Sequence, residues 1–116
     1  MEKKDHKDLE QFIKKELQKN GSKNLSIPMA ANIIEYFYYS DFAGKIKGRI
    51  RISRKDLLQI LGRERLHFND YQVLVDELLS RKILFFGKDD VFYAIRVKTA
   101  DSWRKVTQGM LSTFNL

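Results

Sequence analysis

The chain has no cysteine, a single proline, only two histidines and no apolar run long enough to cross a bilayer. Each absence closes a class of function. Without cysteine there is no disulfide framework, no thiolate nucleophile and no cysteine zinc site, which accords with a reducing cytoplasm. His6 and His67 are far apart, so no pair of histidines stands at helical spacing. A glycine-rich phosphate loop and a nucleophile elbow are missing too. His67 with Asn69 and Asp70 lacks the further ligands of a metal nuclease, and Asp89-Asp90 reads as a pair of turn formers. No catalytic residue, metal site or cofactor is expected, and the chain does not read as an enzyme. The most apolar stretch, Ile27 to Gly44, is shorter than a membrane span and carries Asn32, Glu35 and Asp41. The opening Met-Glu-Lys-Lys-Asp-His-Lys-Asp is all charge with no apolar segment behind it, unlike a secretory signal. The expectation is a cytoplasmic protein with no membrane partner.

What remains is ordinary globular material. The 116 residues are 43% apolar and 32% charged, enough for one domain over 1–116 that buries roughly two-thirds of its unfolded surface. The net charge of +7 is distributed unevenly. Residues 43–66 hold eight cations (Lys45, Lys47, Arg49, Arg51, Arg54, Lys55, Arg63, Arg65) against Asp56 and Glu64, a balance of +6 in twenty-four residues. Residues 67–80 hold Asp70, Asp76 and Glu77 with no lysine or arginine. A basic block this dense commonly faces a polyanion, and nucleic acid is the usual one in a soluble protein. A solvated basic face with no partner is the other reading.

Apolar spacing divides the chain into elements. Leu9, Phe12, Ile13 and Leu17 form one stripe of a helix over residues 5–20, stopped at Gly21. A second helix starts on the N-cap Ser26 with Pro28 in its first turn. Its stripe is Met29, Ile33, Ile34, Phe37 and Tyr38, widened by Tyr36, Tyr39 and Phe42. So dense an aromatic group could stack single-stranded bases, but at helical spacing it reads as core. After a loop Ala43–Gly48, Arg49-Ile-Arg-Ile52 alternates strictly, a short half-buried strand with both arginines outward. Ser53 caps a third helix, with Asp56 as capping-box partner, Leu57, Leu58 and Leu61 inward, and Gly62 at its end. A fourth helix is expected from the N-cap Asn69, with Gln72 at N3 and Phe68 stapled onto Val73. Tyr71, Leu74, Val75, Leu78 and Leu79 face inward. Ile83–Phe86 and Val91–Val97 about Gly87-Lys88-Asp89-Asp90 predict a hairpin. A last helix, from about Asp101 to Phe114 (the C-terminal unit being residues 100–114), places Trp103, Val106, Met110 and Phe114 on one stripe.

The order from Ser26 to Val97 is carried by Ser53-Arg-Lys-Asp-Leu-Leu-Gln-Ile-Leu-Gly62, then Tyr71-Gln-Val-Leu-Val-Asp-Glu-Leu-Leu-Ser-Arg-Lys-Ile83, then the hairpin Leu84–Val97. It resembles the winged helix-turn-helix family, in which an LxxLG-type helix precedes the recognition helix. The fold class this implies is α+β and mostly helical: a winged-helix core over 26–97, three helices with a short strand and a β-hairpin wing, plus extra N- and C-terminal helices. The resemblance further implies duplex DNA binding by a small transcriptional regulator, or by one serving replication, a plasmid or a phage. The recognition helix would enter the major groove while the wing touches the backbone. Carried onto this sequence, Asn69 and Gln72 could pair with adenine edges, and His67 stands at the groove-facing start. Arg54, Lys55, Arg63 and Arg65 would hold phosphates, and Lys88 is the cation of the wing tip. Leu9, Phe12, Ile13 and Leu17, with Trp103, Val106, Met110 and Phe114, would build a homodimer, or else pack on their own domain. The turn Gly62–Phe68 is about four residues longer than the family's tight turn, and Asp70, Asp76 and Glu77 make the expected recognition face acidic. That face supports a second reading, a winged-helix subunit binding a charged protein partner without direct DNA readout.

Overall fold

The computed structural model describes residues 3–40 and 49–116. The expected loop Ala43–Gly48, with Lys45 and Lys47, lies outside the described residues, as does Phe42. The elements are α1 (Lys3–Asn20), α2 (Ile27–Tyr38), β1 (Arg49–Ser53), α3 (Arg54–Leu61), α4 (Phe68–Ser80), β2 (Ile83–Lys88), β3 (Val91–Arg96), α5 (Val97–Asp101) and α6 (Gln108–Ser112). The protein is α+β and mostly helical, with one small antiparallel sheet of strand order β1-β3-β2. Among the described residues no helix is long and apolar enough to cross a membrane.

Local signals start the middle helices. The Ser26 hydroxyl accepts from the Met29 N–H, and the Ser53 hydroxyl from the Asp56 N–H, relieving donors that the first turn leaves unpaired. Gly62 ends α3 in the left-handed conformation, φ 67°. It is also where the chain doubles back on itself. The Asn24 N–H donates to the Gly62 carbonyl and the Leu25 N–H to that of Leu61, so a Cβ at position 62 would collide with the Ser22 carbonyl oxygen.

One core joins α2, α3 and α4 to the inner face of the sheet. Ile34, Leu57, Leu61, Leu74, Leu78 and Ile83 are fully buried, each contributing about 1.5–3 kcal/mol. Ala30 and Ala31, also sealed from solvent, leave room for α4 to lie close against α2. Phe85 and Phe92 stack on the inner sheet face with centroids 5.5 Å apart, and Tyr71 of α4 tilts onto both. Tyr38 is buried in this core, and its hydroxyl accepts from the Arg96 N–H.

α1 packs on its own domain. Ile13 is buried and Leu9 and Leu17 are half-buried, which leaves Phe12 as the open member of the expected stripe. At the other end of the helix the His6 ring stacks on Tyr36 (4.2 Å, 2° between planes), and its Nε2 lies 3.0 Å from the Tyr36 carbonyl. The Tyr36 hydroxyl donates to Glu10 (3.0 Å), and this bond holds the phenol above its ordinary pKa of 10.0. Tyr39 is also raised, by burial.

Four expectations about elements are corrected. α4 begins at Phe68, with His67 in the N-cap position and no side-chain cap bond, so Asn69 is not the cap. Phe68 and Val73 are both exposed, 72% and 48%, so no staple closes over the turn. The hairpin turn is only the two residues Asp89-Asp90, with Asp89 at φ 57°. Gly87 and Lys88 belong to β2, and Val97 already belongs to α5. The single C-terminal helix is replaced by α5 and α6 with a non-helical stretch between them. Ser102 bonds back to the Thr99 carbonyl and Thr107 caps α6, side-chain bonds that divert the backbone from one continuous helix. Residues 101–110 are exposed, and the radius of gyration, 17.0 Å, exceeds the roughly 13 Å of a compact domain this long.

Candidate nucleic-acid interface

Among the described residues the basic segment does not make one surface; the fold divides it. In β1 the side chains alternate, so Ile50 and Ile52 turn into the core while Arg49 and Arg51 lie on the outer face of the sheet. The cations beyond Ser53 gather elsewhere, around α3 and the turn into α4. Arg54, Lys55 and Arg63 line a groove with Ser53, Leu58, Gln59 and Asp90. Leu58, Gln59 and Arg63 are shared with a wider cleft that adds Lys23, Arg65, His67 and the carboxylates Glu64 and Asp70. On the other side of Arg54 a third recess runs past Leu66, Phe68 and Tyr71 to Gly87 and Asp89 at the hairpin. The result is a continuous concave surface from the α1–α2 connection, along the exposed side of α3, to the hairpin tip.

Several charges on this surface are already engaged. One Arg63 guanidinium nitrogen binds Asp70 at 2.5 Å, and the other donates to the Leu25 carbonyl at 3.0 Å. Arg63 therefore ties the long turn to α4 and to the start of α2. The Arg54 guanidinium lies 5.7 Å above the Phe92 ring, and its Nε is 3.4 Å from Asp90, while its backbone N–H donates to the Asp90 carbonyl. Arg81 binds Glu77 one turn back on α4 and donates to Asn32 Oδ1 at 2.7 Å on α2. Sequence reasoning missed Arg81, although the Glu77–Arg81 spacing of four residues was a signal available for it.

These pairings change the balance on α4. Asp70 and Glu77, two of its three carboxylates, are neutralised from within the chain, and Asp76 alone is exposed without an ion pair among the described residues. The open stripe of the helix is Asn69, Gln72, Val73, Asp76 and Leu79. Lys55, Arg65 and Lys88 are exposed with no ion-pair partner among the described residues, and His67 is exposed at the mouth of the wider cleft. Chemically, this arrangement offers amide side chains on a helix and flanking unpaired cations that could meet phosphates. Among the described residues no group of three or more histidine, aspartate or glutamate side chains could hold a metal ion.

Comparison with protein-family models, with curated proteins and with solved structures finds no match to this chain.

Proposed function

We propose that the protein is a small DNA-binding regulator of winged-helix type, with α3 and α4 as the helix-turn-helix and β2–β3 as the wing. The observation that carries the reading is the pairing of Asp70 with Arg63 and of Glu77 with Arg81. It removes most of the negative charge that would repel α4 from a phosphate-lined groove and leaves Asn69 and Gln72 open on that helix. Lys55 on α3 and Arg65 in the turn flank α4, where they would position the protein by phosphate contact, while Lys88 stands near the wing tip on the outward face of the sheet. Lys23 extends the same surface.

The test is a salt titration on mixed-sequence duplex DNA. Neutralising four to six phosphates gives a log–log slope of affinity on salt of about −4 to −5. Absence of binding at low salt would end this reading.

The second reading, a protein-interaction subunit, is favoured by the apolar side chains on the same helix: Phe68 is 72%, Val73 48% and Leu79 45% exposed. A helix entering a groove of DNA gains little from them, whereas a partner protein would cover them. Replacing Val73 and Leu79 together by serine leaves duplex affinity intact on the first reading and removes partner binding on the second.

A further inference from the structure

The two arginines of β1 that the helix-turn-helix surface does not use stand on a different surface with its own composition. In the register of the sheet, Arg51 is opposite Tyr93, and Tyr93 is opposite Phe86, so the three form one row across all the strands. The rows on either side are Arg49, Ile95, Leu84 and Ser53, Val91, Lys88. These nine outward positions carry three cations and no carboxylate. Three acids border this face: Asp90 is drawn to Arg54, Asp89 lines the recess beside Leu66 and Phe68, and Asp56 shares a groove with Arg51 at the edge of β1. Arg49, Arg51 and Lys88 have no ion-pair partner among the described residues, and Arg51 also lines the groove under the free edge of β1.

The aromatic part of the face is organised. The Phe86 and Tyr93 rings stack with centroids 5.6 Å apart and 25° between planes. Phe86 is 47% exposed, and β2 is an edge strand with no further strand beyond it among the described residues. Ile95 on the same face is buried, with α5 packed against its strand, which leaves the Phe86 end of the face open.

The geometry points to a second nucleic-acid site here, one that takes unpaired bases of single-stranded DNA. A base extends the Tyr93–Phe86 stack on its open side, as any base can through its π face, and its phosphates meet Lys88 two residues along the same strand. Arg49 and Arg51 keep the whole face positive. A duplex hides the faces of its bases inside the stack, so this site discriminates unpaired from paired DNA. The inference rests on the duplex-binding reading only for the tailed probe below. The bare strand tests it independently.

The experiment measures binding of the full chain to a blunt mixed-sequence duplex, to the same duplex carrying a single-stranded thymidine tail, and to the thymidine strand alone. The tail should raise duplex affinity about tenfold. Phe86→Ala should abolish that gain and weaken binding of the bare strand to the same degree, with blunt-duplex affinity unchanged within about twofold. Phe86→Trp should retain the gain, and Phe86→Leu, which preserves bulk without a π face, should behave like Phe86→Ala and guard against a folding defect. Replacing Arg49 and Arg51 by alanine should flatten the salt slope of bare-strand binding by about 0.7 for each phosphate that is no longer neutralised. A tail that adds no affinity to the wild type, or a gain that survives Phe86→Ala and Phe86→Leu, overturns the site. If blunt duplex fails to bind while the bare strand binds in a Phe86-dependent way, the helix-turn-helix reading falls and this one stands.

Discussion

Arg63 and Asp70 bind each other at 2.5 Å across the turn between α3 and α4, and on the proposed DNA-binding reading the pair sets stability against affinity. The Asp70 carboxylate sits in the first turn of α4, where the helix dipole favours it, and its partner also holds the Leu25 carbonyl. Asp70→Asn should therefore destabilise the fold by about 1 kcal/mol, while releasing Arg63 to a phosphate and raising duplex affinity. Arg63→Ala should cost more, about 1–3 kcal/mol, and weaken binding by leaving a bare carboxylate on the helix. Denaturant melts paired with duplex titrations check both. If Asp70→Asn lowers affinity and stability together, the carboxylate is not the brake described here.

Arg65 and Lys55, by contrast, have no intramolecular duty among the described residues. Their replacement by alanine should change stability by no more than about 0.5 kcal/mol. Each should flatten the salt slope by about 0.9 and weaken binding to all duplexes alike. Gln72→Ala should instead alter the ranking of duplex sequences, by about 1–3 kcal/mol at the base it reads. A change of sequence preference in Arg65→Ala would reassign that residue from phosphate to base.

Gly62 and Gly21 both occupy left-handed backbone, φ 67° and 78°, but only Gly62 lies against another segment. Gly21→Ala should cost about 1–2 kcal/mol, the strain of the conformation alone. Gly62→Ala adds the displacement of the Ser22–Asn24 backbone and the rupture of its bonds to α3, so it should cost several kcal/mol and melt the domain tens of degrees earlier. Equal melting temperatures for the two variants would deny the close approach.

The elements read correctly from the sequence were those written in a few adjacent residues. Ser26 and Ser53 cap the N–H groups three residues on, Gly62 stops α3, and the alternation of Arg49–Ile52 decides which side chains reach the core. The start of α4 was misread because Asn69 and Gln72 offered a capping pattern, whereas the helix is held at its start by Asp70 reaching Arg63 seven residues back. The C-terminal stripe of Trp103, Val106, Met110 and Phe114 has helical spacing, yet spacing alone does not outweigh Ser102 and Thr107 bonding their own backbone when the stripe stays exposed. Of the candidate site, the positions of Lys55, Arg65, Gln72 and Lys88 on exposed surface followed from pattern. The consumption of Arg63 by Asp70 and of Arg54 by Asp90 did not, because both pairs join segments that only the tertiary fold brings together.

Alkaline pH should act through Tyr36. Its hydrogen bond to Glu10 favours the protonated phenol, so its pKa is higher in the folded chain than in the unfolded one. Between those two values the native state holds the extra proton, and stability falls as pH rises through the window above 10.0. Tyr36→Phe removes this contribution, so melting temperatures of the variant should decline less steeply over that range while lying below the wild type at neutral pH. Parallel declines would place the alkaline sensitivity elsewhere.

The expected dimer surfaces differ in what the fold leaves open. Leu9, Ile13 and Leu17 are largely covered by their own domain, but Trp103 (58%), Val106 (63%), Met110 (46%) and Phe114 (75%) are exposed on a segment that stands off the body. Large apolar side chains left in water on one segment favour self-association, since a second copy would supply an identical apolar surface. Removing residues 103–116 should leave domain stability within about 0.5 kcal/mol of the full chain. It should also convert a dimer into a monomer in sedimentation runs over a range of concentrations. Trp103 is the single tryptophan, so its emission should move to shorter wavelength as the full chain is concentrated and the indole leaves water. A full-length chain that remains monomeric, with an unshifted Trp103 spectrum at every concentration, would rule out the C-terminal segment as a dimer surface.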